Sequence, residues 1–385
     1  MNRLIFLKEF LNKEKPFPFF ENIVFRAKNY LSPNKDAVSK VDSVSIIKDV
    51  PDYFRIIVRE GEYNIHKIRS IEGYYVDLSS FSDYKRYLES IQGAKSRSNL
   101  RRYIQRLESC FPIRYEAYYG SVDKEEYHAL FAALKIFLVK RFEEKGESNY
   151  ELPYLHEFEN KLYPLILKKE ACLFVIYDGS KPISIRINMF KDDLAYYIMS
   201  GYDTDYSKFH PGLIDMAKNI EWLFSMEFRI YDLLKGYEPY KSKWYTNSYY
   251  NYHQIVIRKN ATAGRLGGLL PYASLSLREM LFRFARKVHL KQAKKSITKY
   301  SNLLQPKGHT VHTKTVSRLE SEAELRHMTK VDIEGQPKLQ FLRKTVYDFL
   351  FTSKQEYRKT KVYKHPDLST FLVLGEKEDL LIQVG

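Results

Sequence analysis

Two cysteines in 385 residues, Cys110 and Cys172, leave no disulfide framework and no thiolate set with the spacing of a zinc site. Both stand in apolar or strand-like text, where the ordinary reading is a reduced core thiol in a cytoplasmic protein. No stretch approaches the roughly 18 apolar residues of a membrane-spanning helix. Met1 to Phe20 interrupts its apolar residues with Lys8, Glu9, Lys13, Glu14 and Lys15 and has no small-residue cleavage site, so no secretory signal is expected. Internal repeats, heptads and low-complexity tracts are missing, which excludes solenoids and coiled coils. Zinc spacing, RNP-type aromatics and a helix-turn-helix signature are also missing, so nucleic acid has only charge in its favour. Acid is in short supply: 47 Asp and Glu face 63 Lys and Arg, a formal net charge of +16. That excess favours an anionic partner, whether nucleic acid, a phosphate-rich cofactor, an acidic carrier protein or a membrane surface. Tyrosine is plentiful, with 32 residues, and supplies surfaces with an apolar body and a polar tip.

The length suggests two domains, or one large domain with appendages. Residues 1–92 read as mixed α/β, with strands near Tyr53–Val58 and Tyr74–Leu78 and a short helix capped by Ser82. From 93 to 260 the pattern is regular. A helix around Leu100–Leu107 precedes a strand at Ile113–Tyr119. Asp123 caps a long helix through Lys145, and a second helix covers Leu155–Lys169. Three strands then follow on tight turns, Ala171–Tyr177, Pro182–Phe190 and Leu194–Gly201. His210-Pro211-Gly212 leads into a helix to Met226, and strands are expected at Phe228–Leu234 and Tyr252–Arg258. The three-strand meander must be antiparallel, and the strand–helix–strand that follows must cross over to a parallel neighbour. Residues 261–308 contain a glycine linker (Gly264, Gly267, Gly268) and a basic stretch, Leu277–Tyr300. Residues 305–320 read as polar and linker-like. The tail, 309–385, holds one helix near Leu339–Phe351 and a hairpin of Phe371–Leu374 with Leu380–Val384.

Pro211-Gly212 reads as a helix start. The open N–H groups and positive dipole end of such a start suit a pyrophosphate; Gly212 lets the backbone approach, and Pro211 has no N–H to leave unpaired. An ordinary helix start is the competing reading. Asp232 closes a strand whose Phe228, Ile230, Leu233 and Leu234 look buried. A carboxylate there is either a structural acceptor or a general base with a raised pKa. Tyr240 and Lys241 follow within one loop, as a proton donor and a cation for a developing oxyanion, or as parts of a solvated loop.

Tyr202-Asp203, Pro211-Gly212, Asp232 with Gly236, Tyr240-Lys241 and Trp244, in this order and spacing, resemble the CelD/BcsL-like branch of GNAT-superfamily N-acyltransferases, relatives of the Fem-type transferases. Ser96–Arg102 with Leu107-Glu108 is similar to that family's opening segment. The resemblance implies an α/β (α+β) GNAT-type mixed, mostly antiparallel sheet flanked by helices, and it allows a tandem arrangement with residues 1–92 as a degenerate half. It implies an acyl-CoA donor held around Ser200, Gly201, Tyr202, His210, Pro211, Gly212 and Leu213, with Asp232, Tyr240 and Lys241 as catalytic residues and no metal. Transfer would run directly from a thioester to an amine on a sugar, lipid or cell-wall precursor, in bacterial envelope or polysaccharide biosynthesis. The usual Gln/Arg-x-x-Gly-x-Gly/Ala signature is absent and only Gly212 remains, so an acyl-carrier protein or an aminoacyl-tRNA stays open as donor. The basic stretch 277–300 places Leu277, Leu281, Phe284 and Val288 on one face, with Met280 beside them. This suits either an anionic membrane surface, making the protein peripheral at the inner membrane face, or a solvated basic helix. A non-catalytic protein that keeps the fold and binds membrane is the remaining alternative.

Overall fold

Two-residue turns at Gly179-Ser180 and Asp192-Asp193 set the spacing of the central strands, with Gly179 and Asp192 in the left-handed region that such turns demand (φ +58° and +54°). The computed structural model describes residues 2–12, 17, 19–31, 44–59, 61–146, 152–236, 238–259, 272–282, 311–316, 325, 327–367 and 369–385. From the N-terminus come β1 (Asn2–Ile5), α1 (Phe6–Leu11), β2 (Phe20–Phe25), β3 (Lys28–Asn29), β4 (Val44–Pro51), β5 (Arg55–Val58), β6 (Tyr63–Asp77) and α2 (Tyr84–Ile91). Next are α3 (Ala94–Cys110), β7 (Ile113–Tyr118), α4 (Lys124–Lys145), α5 (Leu152–Leu167), β8 (Ala171–Asp178), β9 (Lys181–Lys191), β10 (Leu194–Tyr202), α6 (Pro211–Ser225), β11 (Ile230–Lys235) and β12 (Asn247–Arg258). A helix over residues 272–282, α7, follows. The C-terminal part holds β13 (Val311–Val316), β14 (Thr329–Val331), α8 (Arg343–Ser353), β15 (Lys361–Lys364), β16 (Thr370–Leu374) and β17 (Asp379–Val384).

The chain divides into two units. The first comprises Met1–Gln92, Asn188–Ile198 and Leu223–Ile297. Its strands lie in the order β1-β4-β12-β6-β11-β10. β1 with β4 and β10 with β11 are parallel, while β12 is antiparallel to β4 and β6, and β11 to β6. β2, β3 and β5 form a small separate sheet. Its core is aromatic: Phe6, Phe10, Phe17, Phe19, Phe20 and Phe54 are all buried together, and such rings combine large apolar burial with tilted ring–ring contacts.

The second unit comprises Gly93–Ile187, Met199–Trp222 and Thr298–Gly385. Here β7, β8, β9 and β10 are neighbours, with β7 antiparallel to β8. α4 is capped by Asp123, which accepts the N–H groups of Glu125 and Glu126, and it ends on Gly146 at φ +60°. It packs closely over β10 at Gly201, where a Cβ would meet Leu134 Cδ1 at 2.8 Å. The tail is a five-stranded sheet, β13-β17-β16-β15-β14, with α8. It shares one core with α3, β8 and α6 through Leu107, Phe111, Ile176, Ile214, Val346 and Leu350.

The mixed, mainly antiparallel sheet flanked by helices is the fold that the resemblance implies, including the parallel crossover from β10 to β11. Three details differ from the sequence reading. β6 runs for 15 residues, not five, because β12 pairs with it from Tyr63 to Tyr75, and backbone ladders hold even where His66, Lys67 and Arg69 spoil the apolar alternation. Asp83, not Ser82, caps α2: its carboxylate accepts the Arg86 N–H, and the Ser82 hydroxyl donates to it. Residues 311–316, inside the stretch read as a linker, pair along the whole of β17 as an edge strand. The glycine linker at 264–268 and residues 283–300 of the basic stretch lie outside the described residues.

Candidate active site

The parallel ladder between β10 and β11 spans Leu194↔Ile230 to Tyr196↔Asp232. At that point β11 bulges: its pairing with β6 shifts register between Asp232 and Lys235. Leu234 adopts φ +64° and Gly236 φ +93°, the left-handed region that a leucine occupies at a cost. The bend brings the Leu234 N–H back to Asp232 Oδ1 at 2.7 Å. Lys241 then closes the bulge from below, its Nζ donating to the carbonyls of Gly236 (3.0 Å), Leu234 and Lys235 (3.3 Å each).

Asp232 is 1% exposed. Tyr53 donates to its Oδ2 at 2.7 Å, and Tyr249 reaches both oxygens at 2.9 and 3.0 Å. Tyr196 is its direct neighbour on β10, and the Tyr196 hydroxyl is buried. Burial raises the Asp232 carboxyl to about 6, even though the hydrogen bonds from Tyr53, Leu234 and Tyr249 and the Lys241 charge oppose it. Burial also lowers Lys241 to about 8, against the attraction of Asp232. Burial and the Asp232 charge push Tyr53, Tyr196 and Tyr249 well above the ordinary phenol range, so at neutral pH all three are donors. Tyr53 alone of the three tyrosines directly bonded or paired to Asp232 is both partly exposed and hydrogen-bonded to the carboxylate.

Of the three residues expected to be catalytic, the structure joins Asp232 and Lys241. Tyr240 is half-buried one residue before a 3-10 turn (Lys241–Lys243), and its hydroxyl is not among those bonded to Asp232. Lys241 spends its donors on backbone carbonyls. Sequence reasoning missed Tyr53, Tyr196 and Tyr249, whose abundance was the only signal: Tyr53 lies 179 positions from Asp232.

The expected donor residues form a second cluster, in the other unit. β10 ends with Ser200, Gly201 and Tyr202; a 3-10 turn (Thr204–Phe209) follows, and His210 at φ +57° turns the chain into α6. His210 packs against Tyr103 in a tilted ring contact, with centroids 4.2 Å apart. Its carbonyl takes the N–H groups of Leu213 (2.9 Å) and Ile214 (3.2 Å). This corrects the expectation of an open helix start: Pro211 has no N–H, and only that of Gly212 is left. The Tyr202 ring stands against Gly212, where a Cβ would lie 3.3 Å from it. Between these residues Asp203 and Asp205 are buried among cations. Asp203 bonds Arg343 and lies within 3.5 Å of Lys140 and Lys181, and Asp205 bonds Lys140 and Arg343. Burial works to raise Asp203, but Arg343, Lys181 and Lys140 hold it below the usual carboxylate range.

Residues 94–242 match the family model for an acetyltransferase (GNAT) domain. Over that stretch the chain is similar to GNAT-type acetyltransferases. Both clusters fall within the matched stretch, except that Tyr53, Tyr249 and Arg343 lie outside it. No curated protein matches the chain significantly. Among solved structures, the chain is similar to a conserved protein of unknown function from Bacteroides thetaiotaomicron VPI-5482 (12% identity, 56% of this chain and 70% of that one, TM-score 0.38). It is also similar to the C-terminal domain of a putative lysylphosphatidylglycerol synthetase from Agrobacterium fabrum (11%, 59% and 71%, TM-score 0.37). For FemX the values are 13%, 49% and 62%, with a TM-score of 0.37.

Proposed function

We propose that this protein is an N-acyltransferase that moves an acyl group from a thioester to an amine, with Asp232 as the base and Tyr53 as its proton carrier. The observation that supports this reading is a buried carboxyl raised to about 6 that accepts a 2.7 Å hydrogen bond from the Tyr53 hydroxyl. Such a carboxylate is ionised at neutral pH yet basic enough to accept a proton. The acceptor amine forms the new C–N bond as the C–S bond breaks. Tyr53 takes the amine proton at Oη and passes its own to Asp232 Oδ2; the thiolate leaves and takes a proton from water, and Asp232 returns its proton to water after product release. Lys241 holds the bulge that aims the carboxylate, and its charge keeps Asp232 from rising further. The Gly212 N–H, beside the Tyr202 ring, fits one oxygen of a coenzyme A pyrophosphate; the thioester supplies the activated acyl carbon. The acceptor would be an amine on a sugar, lipid or cell-wall precursor.

One free N–H is little for a pyrophosphate, and the charge of +16 suits a polyanion. These two facts favour a second reading, an aminoacyl-tRNA donor. Calorimetric titration with acetyl-coenzyme A, a long-chain acyl-coenzyme A and an aminoacyl-tRNA separates them. Saturable thioester binding that weakens in Gly212→Ala supports the first reading. Binding of tRNA alone replaces it with the second, and binding of neither leaves the fold without this activity.

A further inference from the structure

A helix lying on a protein turns its apolar side inward and its polar side to water. α7 does the reverse. Its inward residue is Glu279, 6% exposed, with Oε1 3.3 Å from His253 Nε2 on β12. His253 Nδ1 accepts the Asp49 N–H at 3.3 Å, which puts the imidazole proton on Nε2, facing Glu279. Leu275 packs on Val44, Ile46 and Ile255, and Tyr272 stands edge-on to His66, so this side is anchored to the sheet. The opposite side shows Leu277, Met280 and Leu281, 54, 55 and 57% exposed. Spaced three and four apart, they form one stripe. Phe282 beside them is 49% exposed, with the Arg278 guanidinium over its ring.

In the sequence, the stretch that α7 opens carries charge of nearly one sign. From 277 to 300 the sequence holds eight Lys and Arg and one acid, Glu279, and that acid is the residue turned inward. Phe284 and Val288 continue the spacing of Leu277 and Leu281 in the sequence, with Arg283, Arg286 and Lys287 among them. An exposed apolar stripe in a segment whose sequence is this basic suits a partner that is anionic at its surface and apolar just beneath. A nucleic acid backbone offers the first without the second. A second copy of this face would set cation against cation. We infer that α7 docks the protein on an anionic lipid surface, with Leu277, Met280 and Leu281 in the acyl boundary and the basic residues among the headgroups. This inference does not rest on the transferase reading.

The test uses the full chain, co-sedimented at low salt with vesicles of phosphatidylcholine alone or mixed with phosphatidylglycerol. Wild type is expected to pellet only with the mixed vesicles and to be released by salt. Arg283→Glu/Arg286→Glu/Lys287→Glu should weaken partitioning by at least about 100-fold, since each basic residue near the surface contributes about fivefold. Leu277→Glu/Leu281→Glu should also abolish it, and because both side chains face outward its circular dichroism and melting should match wild type. Wild type that stays in the supernatant with the mixed vesicles overturns the inference. So does a Leu277→Glu/Leu281→Glu protein that pellets like wild type, because binding would then lie elsewhere. A dimer that this variant dissociates, or retention of RNA, without lipid binding would assign the face to another partner and overturn it as well.

Discussion

Asp203, just after β10, and Asp232, at the bulge within β11, are both buried aspartates, yet their surroundings send them in opposite directions. Asp203 sits among Arg343, Lys181 and Lys140 and is held below the usual carboxylate range. Asp232 sits among Tyr53, Tyr196 and Tyr249 with one lysine, and burial lifts it to about 6. Cations stabilise the charge at one site, so Asp203 is a permanent anion that ties Arg343 of α8 to the turn before α6. Neutral donors at the other site satisfy the oxygens without cancelling the charge, so Asp232 stays close to the pH at which it can take up a proton. The chemistry of the partners, more than burial, decides which aspartate can act as a base.

The comparison breaks most visibly in turnover. Asp232→Asn keeps the shape and removes the basicity, and should lower turnover by roughly 10²- to 10⁴-fold with donor affinity unchanged. Asp203→Asn should leave turnover in the folded protein within a few-fold of wild type. Near-normal turnover in Asp232→Asn would make that residue a structural acceptor. Tyr53→Phe, which removes the proton carrier while leaving Tyr249 on Asp232, should sit between these, at the lower end of the same range.

Stability should divide the two sites in the other direction. Arg343→Met removes the most buried cation beside Asp203 and Asp205, leaving Lys140 and Lys181, and should cost up to about 3–5 kcal/mol by denaturant unfolding, the usual range for breaking one side of a buried pair. The pH dependences should have opposite signs. Asp203 is depressed, so its contribution is present above the unfolded carboxylate value and is lost as pH falls through its folded value. Asp232 is raised, so its contribution is complete below about 4 and is lost as pH rises through about 6. Relative to Asp232→Asn, wild type should therefore lose roughly 3 kcal/mol across that interval. Melting curves of both proteins at a series of pH values check the sign.

The smallest effect is expected at the donor turn. Gly212→Ala puts a methyl 3.3 Å from the Tyr202 ring, a contact that the ring relieves by a small shift. The protein should fold normally and bind its donor roughly tenfold more weakly, about the loss of one hydrogen bond to a charged group. Unchanged affinity by calorimetry would remove Gly212 from the donor site.

Much of this was legible in the sequence, and the boundary of legibility follows from range. The meander, the α4 cap at Asp123, the helix start at Pro211 and the strand ending near Asp232 are local signals, and each stands where the spacing put it. The surroundings of Asp232 are not local. Tyr53 comes from the turn after β4 and Tyr249 from β12, and no periodicity links either to position 232. The bulge at Leu234 was hidden because a leucine gives no sign of a left-handed backbone. Arg343, from what reads as a tail, was invisible as a partner of Asp203 for the same reason.

The central claim, that Asp232 is poised as a base, can be tested without knowing the substrate. Aspartate labelled with carbon-13 at Cγ, with Asp232→Asn to assign the resonance, gives the titration of this carboxyl directly by NMR. The account predicts a midpoint near 6 for Asp232. A midpoint at or below the ordinary 3.8 would contradict it, and would leave Asp232 a structural acceptor like Asp203.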